Sequence, residues 1–183
     1  MNKGKLIIIS GPSGAGKGTV LAEVFQKNPN LIYSVSATTR QPRPGEQDGV
    51  EYFFISKAAF EEKIQNGEML EYATYCENYY GTPADFIEHQ RRQGKDVVLE
   101  IEPCGAMQVM SKCPDALSIF ILPPSLEELE RRLSSRGTES PEVVAARISK
   151  AKDEIDKAGQ YDFQIVNDDV KTAALKIDQI IKK

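Results

Sequence analysis

Histidine and cysteine are nearly absent from this chain. A single histidine, His89, stands among 183 residues. That excludes a multi-histidine metal centre and leaves a histidine-centred triad without support. The three cysteines, Cys76, Cys104 and Cys113, are odd in number and lack metal-like pairing, so they read as free thiols of a cytoplasmic protein. No apolar run approaches the ~18 residues of a membrane span. The opening Met1-Asn2-Lys3-Gly4-Lys5 leads into an apolar stretch that is too short for a secretion signal. Nor does charge of one sign dominate: the net charge is −4. A field of that sign does not favour nucleic-acid polyanions, so any phosphate recognition must come from local arginines. Neither a nucleic acid nor a membrane is expected as a partner. What remains, 40% hydrophobic and 27% charged residues, describes one globular domain able to bury a core.

The most informative stretch is Ile7-Ile8-Ile9-Ser10-Gly11-Pro12-Ser13-Gly14-Ala15-Gly16-Lys17-Gly18-Thr19. Gly11 to Lys17 fits the first seven positions of the phosphate-binding loop G-x-x-x-x-G-K-[ST]. Glycines let backbone N–H groups converge on a phosphate, and the following helix aims its positive end at the same anion. Lys17 adds a mobile charge for the outer phosphates. The seven positions alone recur by chance in roughly one chain in twenty of this length. The apolar run before them and the helical pattern after them (Val20, Leu21, Val24, Phe25) supply the required context. One position departs: Gly18 stands where a Ser or Thr hydroxyl usually meets Mg²⁺, and the direction of Thr19 is open.

Apolar strand-like runs alternate with helical patterns: Lys5–Ser10, Leu31–Val35, Asp96–Ile101, Leu117–Leu122 and Phe163–Val166 against helices near 17–27, 83–93, 104–110, 126–134, 141–158 and 170–181. This predicts an α/β fold, a doubly wound parallel sheet covered on both faces. Residues 34–82 differ in texture. Ser36 to Gly49 reads as a polar loop, Val50–Ile55 as a strand, Ser56 as the cap of a short helix, and Glu68–Tyr80 as a hairpin. The segment reads as a small β-rich insertion into a core of residues 4–33 and 83–183. Thr82-Pro83 looks like the N-cap and first residue of a helix, and Ser125-Leu126-Glu127-Glu128 like a capping box. Arg91, Arg92 and Lys95 read as cations complementing a helix C-terminus.

Four constellations carry candidate chemistry. Glu100 ends the buried Val97-Val98-Leu99 run, where an acid beside a phosphate loop suits Mg²⁺ held through water; otherwise it is an ordinary strand-end acid. Arg40 and Arg43 lie in a Pro/Gly loop, with Ser36 upstream and Tyr52 downstream, and suit a phosphate dianion. Glu71, Tyr80 and Thr82 lie on the insertion. A carboxylate accepts the paired N1–H and N2–H₂ of guanine, and a threonine hydroxyl can donate to a carbonyl such as O6. Arg132, Arg136 and Arg147 flank the polar break Ser134–Ser140 and suit a lid, about 134–148, closing over phosphates. The bland reading of this last set is a solvated helix of Arg–Glu pairs, given Glu127, Glu128 and Glu130.

In order along the chain, these motifs resemble the guanylate kinase family: the loop 11–19, Ser36 to Tyr52, Leu70-Glu71-Tyr72, Asn78 to Thr82, Leu99-Glu100-Ile101-Glu102, Arg136-Gly137-Thr138-Glu139 and Asn167-Asp168-Asp169. The family often carries Gly-Thr after the loop lysine. The resemblance implies transfer of the γ-phosphoryl group of MgATP to GMP, and to dGMP as well, by a cytoplasmic monomer or small homo-oligomer. It implies that Ser36, Arg40, Arg43, Tyr52 and Tyr80 hold the GMP phosphate, that Glu71, Thr82 and Glu102 read guanine, and that Glu100 sits near Mg²⁺. Loop residues Gly11 to Thr19 with Arg132, Arg136 and Arg147 would line the ATP phosphates, with Asn167 beside adenine. Lys17, Arg40, Arg132, Arg136 and Arg147 would be the catalytic cations. Two departures stand out. The family's frequent Asp-Ile-Asp is Glu100-Ile101-Glu102 here, and its Gln-Gly is Cys104-Gly105. Two rival readings are a related enzyme acting on a phosphorylated sugar, which has no use for Glu71 and Thr82, and a non-catalytic scaffold module, which has no use for Lys17 and the lid arginines.

Overall fold

The computed structural model describes residues 3–134 and 141–183. Its centre is a five-stranded parallel sheet of β1 (Leu6–Ser10), β2 (Leu31–Tyr33), β7 (Asp96–Glu100), β8 (Leu117–Leu122) and β9 (Phe163–Val166), in the order β2-β7-β1-β8-β9. Every residue of β1 is buried, which explains an uninterrupted apolar run where a half-exposed strand would alternate. Successive side chains still point to opposite faces. Ile7 and Ile9 enter one core with Val20, Leu21 and Val24 of α1 (Lys17–Lys27) and Ala173, Ala174 and Ile177 of α7 (Val170–Ile181). Leu6 and Ile8 enter the other with Ile87 of α3 (Ala84–Arg92) and Ala106 and Val109 of α4 (Pro103–Lys112). The doubly wound expectation is met. Because the strands are parallel, their C-terminal ends converge at one rim, where α/β sheets bind ligands.

A second sheet lies in residues 37–83. Its strands are β3 (Ala37–Thr38), β4 (Phe53–Phe54), β5 (Met69–Tyr75) and β6 (Asn78–Pro83), ordered β4-β3-β6-β5. Helix α2 (Lys57–Gln65) packs Phe60 beneath it, stacked on Tyr79 with ring centroids 5.1 Å apart. Ser56 caps that helix by accepting from the Ala59 N–H. Between β8 and β9 lie α5 (Leu126–Ser134) and α6 (Pro141–Ile155), which pack through Leu129, Leu133 and Ala151. No helix among the described residues is long and apolar enough to cross a membrane.

Several local expectations are corrected. The segment expected to be loop contains β3, because pairing to β6 and burial of Ala37 and Thr38 override its polar sequence. The expected strand 50–55 shrinks to β4, since Gly49 and Val50 turn back through bonds to Tyr52 and Gln47. Thr82 is not a helix cap. It stays in the β5–β6 ladder opposite Glu71, and Pro83 takes the cap position with extended backbone. The capping box of α5 is half formed: Ser125 accepts from the Glu128 N–H, while the Glu128 carboxylate goes to Arg131 and Arg132. Arg91 is no surface cation. It is 6% exposed and donates to the Gly4 carbonyl at 2.8 Å, tying the N-terminus down beside its ion pair with Asp115.

Phe60 anchors a cluster of Ala37, Met69, Phe53, Ile55, Ile64 and Tyr79 that takes nothing from the five-stranded sheet. Phe60→Ala should cost about 3–5 kcal/mol in urea denaturation. By hydrogen exchange, the amides of β3–β6 should lose protection while β1 and β8 keep theirs. Equal loss in both sheets would mean a single cooperative unit.

Candidate active site

At each of its glycines the loop from Gly11 to Gly16 is packed too closely for a side chain. A Cβ on Gly11 would lie 2.3 Å from the Ile121 carbonyl oxygen of β8. Gly16 takes the left-handed conformation (φ 85°) just before α1, and a Cβ there would meet the Asn167 amide at 2.5 Å. Asn167, 2% exposed, explains that contact: its Nδ2 donates to the Ala15 carbonyl at 2.8 Å, so the tip of β9 props the loop from below. Pro12 and Ala15 are buried, whereas Ser13, Gly18 and Thr19 face outward. Lys17 Nζ folds back to the carbonyls of Gly11 (2.7 Å) and Pro12 (3.1 Å). Burial pushes the Lys17 ammonium below its ordinary range, against the pull of Glu100, Glu154 and Glu102.

Above the loop opens a cavity of about 340 Å³, lined by Gly11, Ser13, Lys17, Glu102, Arg147, Lys150 and Glu154. Arg147 Nη2 donates to Ser13 Oγ at 2.5 Å. Arg132 donates through Nε to Glu128 at 2.7 Å and reaches the Asn167 carbonyl at 3.5 Å. Bonds from Arg131 and Arg132 bring the Glu128 carboxyl down to about 2. Arg136, with residues 135–140 of the expected lid, lies outside the described residues.

A second cavity of about 450 Å³ opens between the two sheets, lined by Tyr33, Ser34, Ser36, Val50, Glu51, Tyr52, Thr82, Leu99, Glu100 and Ile101. At its edge Glu71 and Thr82 form a buried pair, the Thr82 hydroxyl donating to Glu71 Oε1 at 2.6 Å. Burial raises the Glu71 carboxyl above its ordinary value, partly offset by Thr82 and Lys112. Gly105 makes room for it, since a Cβ there would stand 2.8 Å from Glu71 Oε2. Cys104, the unusual neighbour of Gly105, is exposed and leaves that packing alone. Tyr52 and Tyr80 meet edge to face at 6.0 Å, and the Arg40 guanidinium lies over Tyr52 at 5.4 Å. The second strand tip links the two cavities: Glu100 lines this one, and of the carboxylates acting on Lys17 its charge acts most strongly.

Of the singled-out residues, Ser36, Tyr52, Thr82 and Glu100 line the cavity between the sheets, and Gly11, Ser13, Lys17, Glu102 and Arg147 line the loop cavity. Glu102 does not stand with Glu71 and Thr82. Its exposed carboxylate receives Lys150 Nζ at 3.0 and 3.1 Å on the loop side. Sequence reasoning gave no role to Glu46, which holds Arg40 through two bonds of 2.9 and 3.0 Å and accepts the Arg43 N–H at 2.7 Å. It also missed Lys150 and Glu154. Their signal was the spacing i, i+3, i+7 from Arg147, which puts all three on one helix face. A larger cavity of about 560 Å³, lined by Phe53, Ile55, Pro83, Phe86 and His89 among others, is mostly apolar and lacks a convergent set of anion donors.

The family model described as guanylate kinase matches residues 3–183. The curated guanylate kinase of Lactococcus lactis is 53% identical over 98% of this chain and 88% of its own length. That of Nostoc sp. is 55% identical over 96% and 88%. The crystal structure of guanylate kinase from Anaplasma phagocytophilum superposes with a TM-score of 0.74 at 34% identity, covering 99% of this chain and 86% of that one.

The buried Glu71 carboxyl carries a pH signature. Its folded pKa lies above the ordinary 4.5, so ionisation costs the folded state stability as pH rises through 4.5 toward the raised value. Glu71→Gln keeps the acceptor for Thr82 and removes that cost. In urea titrations the variant should exceed the parent in stability at about pH 7 and match it below about pH 4. A variant less stable at both would show that the charged pair is a net support.

Proposed function

The chain belongs to the guanylate kinase family, and from that premise we propose how its two cavities divide the reaction. The protein is an enzyme that transfers the γ-phosphoryl group of ATP to GMP, giving ADP and GDP. The observation that carries the division is the buried Glu71–Thr82 pair, set across Glu100 from the phosphate loop.

The loop cavity is the donor site. Backbone N–H groups of residues 11–19 and the N-terminus of α1 hold the outer phosphates, and Lys17 exchanges its two carbonyls for phosphate oxygens. Arg147 leaves Ser13 and Arg132 turns from Glu128 as the triphosphate arrives, with Arg136 as the third cation and Asn167 beside adenine. The cavity between the sheets is the acceptor site. Ser36, Arg40, Arg43, Tyr52 and Tyr80 hold the GMP phosphate. Arg40 is already braced by Glu46 and stacked on Tyr52, so little freedom is lost on binding. The Glu71 carboxylate accepts guanine N1–H and N2–H. Since the Thr82 proton is committed to Glu71, Thr82 orients that carboxylate and offers its own lone pairs to the amino group, a different part from donation to O6. Glu102 joins them on leaving Lys150.

One phosphate oxygen of GMP attacks the γ-phosphorus in line. The new O–P bond forms as the bond to the β-phosphate oxygen of ATP breaks, and ADP leaves with that electron pair. No enzyme-bound intermediate and no strong base are needed, so positioning and charge neutralisation supply the rate. Glu100 is a lone hard-oxygen donor at a strand tip; such a ligand fits Mg²⁺ that arrives on ATP and keeps several waters. When bound, that ion would neutralise charge on the transferring group. Residues 34–82 act as a GMP-binding unit and about 134–148 as a lid, each moving against the core. We further propose that dGMP is accepted, and that the enzyme is a cytoplasmic monomer or small homo-oligomer with no nucleic-acid or membrane partner.

An ADP-release assay with GMP, dGMP, AMP, dTMP and UMP at equal concentration tests the acceptor site. Turnover should be confined to GMP and dGMP. Glu71→Gln should lower kcat/KM for GMP by roughly 10- to 150-fold, the worth of a hydrogen bond to a charged group. Lys17→Ala should abolish turnover with the fold intact. Preference for another acceptor would overturn the guanine assignment, and activity retained in Lys17→Ala would overturn the donor assignment.

A further inference from the structure

The donor cavity contains a carboxylate that phosphate binding alone does not call for. Glu154 on α6 is 8% exposed and lines the same cavity as Gly11, Ser13 and Lys17. A buried carboxylate costs free energy by desolvation and repels an incoming triphosphate. Such a group is expected to bear on a cation, and two lie at hand. Lys150 Nζ stands 3.7 Å from Glu154 Oε1 while bonding Glu102. Lys17, whose own contacts are two neutral carbonyls, feels Glu154 as its second strongest carboxylate, after Glu100 and before Glu102, with Lys150 opposing them. The other charged group in the cavity is Arg147.

The placement along α6 is regular. Arg147, Lys150 and Glu154 occupy positions i, i+3 and i+7, one face of a helix. Each meets a different part of the site: Arg147 the phosphate loop through Ser13, Lys150 the corner after β7 through Glu102, and Glu154 the cavity lining beside Lys150. Burial lifts the Glu154 carboxyl above its ordinary range, with Lys150 pulling the other way. The buried Tyr161 hydroxyl, pushed up to about 12 by burial, lies within reach of the Glu154 charge.

We propose that Glu154 is a positioning residue of the donor site: from the cavity lining its charge steadies the Lys17 ammonium over the phosphate loop and, through Lys150, sets α6 and its Arg147 against that loop. The proposal rests on the donor role of this cavity. It assigns Glu154 no contact with either nucleotide.

The test is steady-state kinetics of the full chain with ATP and GMP. Glu154→Gln keeps the volume and removes the charge. It should lower kcat about tenfold, an effect expressed in the transition state, and leave the KM for GMP within about twofold. Loss of a carboxylate that stabilises the Lys17 ammonium should also move the alkaline limb of kcat/KM for ATP to lower pH. Glu154→Asp should restore part of kcat. Lys150→Gln removes an opposing charge and should move the same limb to higher pH; it carries the test should Glu154→Gln not fold. An unchanged kcat and an unmoved alkaline limb in Glu154→Gln would overturn the proposal. So would a loss of urea stability as the variant's only effect. If Lys17→Ala keeps its turnover, the donor assignment itself fails; if Lys17→Ala is inactive and Glu154→Gln is normal, only the role of Glu154 fails.

Discussion

The arrangement depends on how tightly the phosphate loop is seated on the sheet. Gly11 lies against the β8 backbone and Gly16 against the side chain of Asn167, so the loop has one available shape. That shape starts α1 at Lys17, directly after the loop, where a helix N-terminus favours an anion. The register of the parallel strands does the rest. Ile9 pairs with Glu100 and Ser10 with Phe120, so the tips of β7 and β8 end level with the loop, and Asn167 follows β9 directly beneath it. Moving any of these strands by one residue would turn its tip residue to the other face.

The cations of the two cavities are held by partners within the protein. Lys17 rests on carbonyls, Arg147 on a serine hydroxyl, Arg132 on Glu128, Lys150 on Glu102 and Arg40 on Glu46. Most of these contacts are at least partly exposed to water, and exposed ion pairs are worth only about 0–1 kcal/mol. A phosphate with several charges can therefore replace them at small cost. Under the proposed division, the same carboxylates keep the cations folded inward between substrates. Glu154 differs because it is buried. Its desolvation cost is sustained whether or not nucleotide is present.

Much of this was legible in the sequence. The loop could be read because its glycines, lysine and flanking patterns are local. The five strands could be read because complete burial produces long apolar runs. Residues 34–82 were harder. Ala37–Thr38 is a strand only because β6 pairs with it, and Thr82 stays in a strand because Glu71 faces it; neither partner is local. The candidate site shows the same boundary. Residue types and order named Arg40, Glu71 and Thr82. The bracing of Arg40 by Glu46, the turning of Glu102 toward Lys150 and the burial of Glu154 arise from approach in space. Cys104 illustrates the reverse: it stood out in the sequence, yet it is exposed, and its neighbour Gly105 is the residue packed against Glu71.

On the proposed division, donor and acceptor occupy separate cavities that meet at Glu100. Equilibrium binding of each nucleotide to the Lys17→Ala protein tests it most directly, since that change touches one cavity alone. GMP should bind the variant with the parent's affinity, while binding of a non-hydrolysable ATP analogue is weakened. Loss of GMP affinity in step with the ATP analogue would contradict it.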